Sequence, residues 1–208
     1  KNPRLAGDFD FYPDWNNAGL GVLRKLTVPG MLSEGSHHDY IPETYRLMSN
    51  DYCWLEAYHF VQAIMEYFGT SEKFTTGVIG GSLMDSRLIR TDPVYGTTFF
   101  EHDQALPIMN ATVSLVNDKG ETIETYTTQD LPNGVYMFKS VAPGNYKVKF
   151  THPEYRDKEI DVVVEANKVT YENVYMDRIR NTPPEVVEYS PVWNEGDDAV
   201  LCNTPVIL

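Results

Sequence analysis

The sequence predicts a multi-domain chain: a partial α/β piece at the N-terminal end, then an all-β sandwich of about seven strands. Three observations predict it. Apolar residues recur at helical spacing up to Phe68, they alternate with polar ones from Thr75 onward, and a Pro-Pro pair at Pro183-Pro184 then sets off a short strand-like tail. Of the 208 residues 42% are hydrophobic and 12% aromatic, which is enough to build real cores.

The first 70 residues carry helix and loop. The run GVLRKLTVPGMLSE reads as one buried strand ending near Glu34. Pro42 stands where a first helical turn begins, and IPETYRLM makes a short helix. Ser49, Asn50 and Asp51 offer capping side chains for a longer helix that reaches Phe68 and stops at Gly69. Within it Trp54, Ala57, Tyr58, Val61, Ile64, Met65 and Phe68 follow the i, i+3, i+4, i+7 rule and predict one buried face.

The segments TTGVIGGSLM, ATVSLV, ETIETYT, GVYMF, GNYKVKF, KEIDVVVE and KVTYENVYM are the seven candidate strands. Turn chemistry separates them at Asp118-Lys119-Gly120, Leu131-Pro132-Asn133-Gly134, Ala142-Pro143-Gly144 and Ala166-Asn167-Lys168. A long connection from Asp85 to Asn110 holds Arg87, Arg90, Glu101, His102 and Asp103. Asn181-Thr182-Pro183-Pro184 reads as a rigid linker, and the two strand-like runs after it are too few to bury a face. The predicted division is therefore 1–70, 74–178 and 182–208, with the chain read as a fragment that starts inside its first domain and stops inside its third.

Charge excludes some partners. The 17 basic residues against 30 acidic leave a net −13, and the basic residues form no patch suited to nucleic acid. No apolar run approaches a membrane span, and the N-terminal stretch is no signal peptide. The composition, rich in Tyr, Asn and strand formers, fits an exported protein at a periplasmic or cell-surface location. Cys53 and Cys202 are not expected to form a disulfide, and neither has zinc-site spacing.

One carboxylate stands out. Glu34 lies three residues before His37-His38-Asp39. Adjacent histidines in an extended loop point to opposite sides, so His37 and His38 are poorly placed to share one ion, and contact with a substrate, or hydrogen bonding that fixes the loop, is the better role for one of them.

The stretch from Val28 to Phe68 resembles the C-terminal end of the zinc N-acetylmuramoyl-L-alanine amidase catalytic domain. The resemblance is carried by Pro29, Met31-Leu32, Glu34, Glu43 before Tyr45-Arg46-Leu47, and Ala57 through Tyr67-Phe68, and the chain departs from it at Gly35 to Asp39. It implies that Glu34 is the general base of a zinc-bound water in a parent amide hydrolase acting on peptidoglycan or another glycan-peptide substrate. The three metal ligands of that site are expected upstream, in the remainder of the parent polypeptide, so this chain alone should hold no metal and be inactive. A zinc carboxypeptidase, which also sets a catalytic Glu ahead of such a sandwich, fits less well because the Arg-Asp pair after its Glu is missing here.

Residues 77–177 resemble the carboxypeptidase regulatory-like domain, a transthyretin-like sandwich. The matching residues are Gly77, Ile79, Gly81 and Asp85, then Ala111, Val113 and Leu115, then Gly134, Tyr136 and Phe138, then Pro143, Gly144, Tyr146 and Val148. Pro183-Pro184, Ser190-Pro191 and Asn203-Thr204-Pro205 resemble the opening of a bacterial immunoglobulin-like domain. The competing functional expectation is a non-catalytic surface module that binds glycan or acts as a spacer, or an accessory region of a polysaccharide-degrading enzyme such as a lyase.

Overall fold

Alternation from Thr75 onward and helical periodicity before it both find their elements in the computed structural model, which describes residues 27–28, 30–90, 99 and 101–179. The chain divides into two compact units, 1–48 and 49–208.

In the first unit the described residues form one regular element, α1 (Ile41–Leu47). Pro42 sits in its first turn, where a missing N–H costs nothing, with Glu43 in that turn and Arg46 in the last, each favoured by the helix dipole. The predicted strand ending near Glu34 is corrected. Residues 30–37 carry no strand, and Met31 and Leu32 are exposed. An extended segment becomes a strand only when a second strand pairs with its backbone, and no strand among the described residues pairs with this one. Residues 21–26 and Pro29 of the same run lie outside the described residues.

The second unit opens with α2 (Asn50–Tyr67). Ser49 caps it, its hydroxyl accepting the Tyr52 N–H at 3.5 Å. The helix ends as predicted at Gly69, whose φ of +65° lets the chain reverse while its N–H reaches Glu66 O at 3.1 Å.

Among the described residues nine strands follow: β1 (Gly77–Ile89), β2 (Ala105–Pro107), β3 (Thr112–Val116), β4 (Thr122–Thr127), β5 (Val135–Val141), β6 (Gly144–His152), β7 (Tyr155–Val164), β8 (Val169–Tyr171) and β9 (Val174–Met176). They make two sheets. β1 is central in the first, with β5 and β2 antiparallel along one edge and β8 and β9 parallel along the other. The second has the antiparallel order β4-β3-β6-β7. Ile79, Leu83, Val113, Leu115, Tyr136, Phe138, Val148 and Phe150 meet between them as a fully buried core.

Two departures from the seven expected strands have local causes. Part of the expected connection from Asp85 to Asn110 is strand, because β1 runs on to Ile89 and β2 pairs back on it after a 3-10 turn at Glu101–Gln104. The expected last strand divides into β8 and β9 at Glu172-Asn173, where the Asn173 side chain instead accepts the Ser82 N–H at 3.1 Å. At that point the backbones come so close that a Cβ on Gly81 would stand 1.9 Å from Glu172 O. Tyr146, two residues before the buried Val148 on β6, is half-buried and packs on the core's margin, its hydroxyl donating to Ala142 O at 2.9 Å.

α2 packs on the outer face of the first sheet. Leu55 and Tyr58 are buried against Val78 and Met137, flanked by Trp54, Phe74 and Val169. This second covering layer explains why GVIGGSLM is buried on both faces and reads as nearly continuous apolar sequence. Polar contacts hold both halves of the helix. Asp51 accepts the Tyr126 hydroxyl at 2.7 Å and pairs with Lys139 at 2.6 Å. Further along, His59 meets the Tyr171 hydroxyl at 2.9 Å and Gln62 donates to Asn167 O at 2.7 Å.

Of the face expected to be buried on α2, Tyr58 is buried and Trp54 half-buried, but Ala57 is exposed. Leu55, absent from the expected set, replaces the later positions in the packing, whereas Val61, Ile64 and Phe68 are 44%, 53% and 70% exposed. No helix among the described residues is long and apolar enough to cross a membrane.

Candidate functional site

Trp54, Ala57, Tyr58 and Val61 fall at i, i+3, i+4 and i+7, so one face of α2 carries all four. Phe74 and Thr76 from the segment entering β1, Val78 on β1 and Ser140 on β5 close the other side of a cleft of about 250 Å³. Three aromatic rings form its wall. Tyr58 stacks on Trp54 at 5.3 Å and on Phe74 at 4.6 Å between centroids. The Lys139 ammonium lies 4.8 Å from the centroid of the Trp54 ring.

Two features of the cleft are costly to maintain. The Tyr58 side chain is 8% exposed, and its hydroxyl is buried with no hydrogen-bond partner among the described residues. An unpaired buried hydroxyl costs on the order of 1–3 kcal/mol. Burial also pushes its pKa above the ordinary tyrosine value, so the group is a neutral donor at physiological pH. Ser140 holds a left-handed backbone with φ +57°, a conformation that concentrates at functional positions when the residue is not glycine. The lining contributes hydroxyls and apolar surface but, among the described residues, no carboxylate, imidazole or thiol. Such a lining offers an uncharged group apolar walls and neutral hydrogen-bonding hydroxyls.

Elsewhere the buried ionisable groups are engaged in the fold. Asp85 is 1% exposed and accepts the N–H groups of Arg87 and Leu88 at 2.8 and 2.9 Å and the Tyr155 hydroxyl at 2.8 Å. Burial works to raise its pKa, but these donors and the nearby Arg178 outweigh it and hold the carboxyl below the usual carboxylate range. Arg90, also buried, donates to Pro132 O at 3.0 Å and lies over the Phe99 ring.

The residues singled out by sequence sit in the first unit. Glu34 is exposed in the irregular stretch 30–37. His37 and His38 are exposed, and the contacts the structure gives them are through the backbone: the His37 N–H donates to the Glu43 carboxylate, and His38 O accepts the Thr44 hydroxyl at 2.6 Å. These bonds order the entry to α1. No group of three or more His, Cys, Asp or Glu among the described residues is arranged to hold a metal ion. Cys53 is exposed and not in a disulfide, while Cys202 and the whole 182–208 segment lie outside the described residues.

Sequence reasoning assigned Trp54, Ala57, Tyr58 and Val61 to plain core. A helical stripe has the same pattern whether its partner surface is filled or hollow. The available signal was Phe74 and Thr76, an aromatic and a hydroxyl placed just before a glycine-rich strand.

Residues 101–177 match the family model described as the carboxypeptidase regulatory-like domain. The match begins in the 3-10 turn before β2 and ends just after β9, so the resemblance noted from Gly77 is supported over its later part. No curated protein matches the chain. Among solved structures, the Bacillus anthracis TIE protein aligns at 17% identity over 50% of this chain and 18% of its own, with a TM-score of 0.37. The minor pilin GBS52 of Streptococcus agalactiae aligns at 17% identity over 58% of this chain and 50% of its own, with a TM-score of 0.37. A putative carbohydrate binding protein from Bacteroides uniformis aligns at 17% over 48% of this chain and 40% of its own, with a TM-score of 0.32. The chain spans half or less of each of these structures.

Proposed function

We propose that residues 49–179 form a non-catalytic accessory module of an exported or cell-surface protein, which binds a neighbouring polypeptide through the cleft between α2 and the first sheet. One observation carries the reading: the cleft is aromatic, neutral and provided with an unpartnered buried hydroxyl, Tyr58 Oη. The family match over 101–177 supports the sandwich part of it.

A polypeptide side chain suits the cleft better than a sugar. Recognition of a pyranose by aromatics needs a ring face to stack on, and here the Tyr58 ring is engaged by Trp54 and Phe74 while Trp54 is engaged by Tyr58 and Lys139. An aliphatic side chain needs only apolar walls, and the carbonyl beside it would accept from Tyr58. The apolar stripe continues past the cleft from Val61 to Ile64 and Phe68, which extends the surface a bound segment would cover. Charge favours a basic occupant over a second copy of this acidic chain, because α2 holds Asp51, Glu56 and Glu66 and no Lys or Arg.

The test is twofold. The 208-residue chain should release no product from peptidoglycan fragments, and a Lys-flanked leucine peptide should bind it and lose affinity at least tenfold in Val61→Asp, which is exposed and leaves folding intact. Turnover of the fragments, or binding indifferent to that variant, would count against the module.

A second reading retains the zinc amidase as parent, with domain extents 1–70, 74–178 and 182–208. It rests on the resemblance over Val28 to Phe68, a stretch whose described residues include α1 and α2. On this reading Glu34 is the base in a longer protein that supplies the three zinc ligands, and His37 or His38 contacts substrate. In that longer protein Glu34→Gln should cut hydrolysis by about 10²–10⁴ with zinc content unchanged. Normal hydrolysis by the Gln variant excludes the assignment.

A further inference from the structure

Away from the α2 cleft, a second depression of about 370 Å³ is lined by Arg87, Arg156, Asp177, Arg178 and Ile179. Three guanidiniums against one carboxylate is an unusual lining in a chain of net charge −13. We propose that this depression is a binding site for an oxyanion, a carboxylate or phosphate group of a ligand.

The backbone beneath it is fixed. Arg87 lies on β1 of one sheet, and its N–H is held by Asp85 at 2.8 Å. Arg156 lies on β7 of the other sheet, its N–H donating to Asp177 O at 2.8 Å. The Ile179 N–H donates to Glu154 O at 2.7 Å, which keeps the segment after β9 against β7. The two sheets therefore present arginines from opposite layers at one end of the sandwich, on rigid elements.

The charged groups differ in how they are engaged. Arg178 pairs with Glu154 and lies 5.7 Å from the Tyr155 ring centroid, and the Asp177 carboxylate accepts the Ser86 hydroxyl at 2.6 Å. The guanidiniums of Arg87 and Arg156 have no hydrogen bond or ion pair among the described residues. A guanidinium is weakly hydrated and offers a planar fork of donors matched to two oxygens of one anion. Two such forks on fixed strands can grip an oxyanion from two sides, with Arg178 adding to the local potential. A neutral sugar or an amine gains nothing from this lining, and Asp177 repels a ligand whose negative charge spreads beyond the single group.

The experiment is an NMR titration of the 208-residue chain at low ionic strength with three probes: glucuronate, inorganic phosphate and neutral glucose. Saturable shifts of the Arg87 and Arg156 side-chain N–H resonances with glucuronate, with phosphate or with both support the site, and the stronger probe identifies the group as carboxylate or phosphate. The Arg87→Ala/Arg156→Ala variant should weaken binding at least tenfold while its thermal unfolding stays that of the parent. Arg156→Lys, which keeps charge but loses the fork, should weaken it by less. A Lys147→Ala/Lys149→Ala variant removes an exposed basic pair of the second sheet and should bind as the parent does. Absence of saturation with both anions, equal shifts with glucose, or an equal loss in the lysine variant overturns the proposal.

Discussion

The Tyr155 hydroxyl donates to Asp85 Oδ2 at 2.8 Å, joining β7 of one sheet to β1 of the other inside the sandwich. Because Asp85 also ends the buried part of β1 by accepting the Arg87 and Leu88 N–H groups, one side chain sets where the core stops and ties the layers together. Tyr155→Phe removes one donor to a buried carboxylate and should cost about 1.5–3 kcal/mol in chemical unfolding. Asp85→Ala leaves three donors unpaired and should cost more.

The same pair predicts a pH profile. The folded pKa of Asp85 is below its ordinary value of 3.8, so its contribution is fully present above that value and is lost as pH falls through the lower folded pKa. Tyr155 is shifted the other way, pushed up to about 12 by burial and by the hydrogen bond to Asp85. Its contribution is present below the ordinary value of 10.0 and is lost as pH rises through about 12. Unfolding free energy measured against pH should therefore fall at both extremes, and Tyr155→Phe should remove the Tyr155 part of the alkaline fall.

Gly81→Ala should be among the most damaging small substitutions, at about 3 kcal/mol, because its Cβ would collide with Glu172 O at 1.9 Å. Gly120→Ala has nothing within 4 Å but a φ of +81°, and should cost about 1–2 kcal/mol from backbone strain alone. Thermal unfolding of the two variants separates collision from strain.

How α2 docks yields a third contrast. Leu55→Ala opens the packing against the first sheet and should cost about 2–3 kcal/mol. Ile64→Ser, on the exposed second half of the same stripe, should change stability by no more than about 0.5 kcal/mol. Equal costs would mean the helix is covered along its whole length.

Much of this fold was legible because alternation and turn chemistry are local. Gly69, Asn167 and Gly134 adopt positive φ where the sequence placed turns or stops, and Val113, Leu115, Val148 and Phe150 face the core as their alternation requires. What escaped was set by non-local contact. The division at Glu172-Asn173 depends on Ser82, ninety-one positions away along the chain, and β2 forms because β1 outruns its core to meet it. The cleft escaped for a related reason. Periodicity names the face a helix turns inward but does not report whether the facing surface fills it. Asp85 appeared in the sequence as one residue of a family pattern, and its bond to Tyr155 shows what the carboxylate does there.

At the entry to α1, Glu43→Gln should lower stability by about 0.3–1 kcal/mol, since the carboxylate accepts the His37 N–H in the helix's first turn. Glu34→Gln should leave stability within about 0.5 kcal/mol of the parent, as expected for an exposed surface substitution. Denaturant unfolding of the two variants under identical conditions checks the contrast.

The reading of the α2 cleft as a polypeptide-binding site is tested most directly by an NMR titration of the chain with N-acetyl-leucinamide and with methyl glucopyranoside, read at the Trp54 indole N–H. The leucinamide should shift that resonance saturably, and Tyr58→Phe, which keeps the ring and removes the unpartnered hydroxyl, should weaken the response while leaving the fold intact. A saturable shift with the glycoside and none with the leucinamide, or no saturable shift with either, would contradict it.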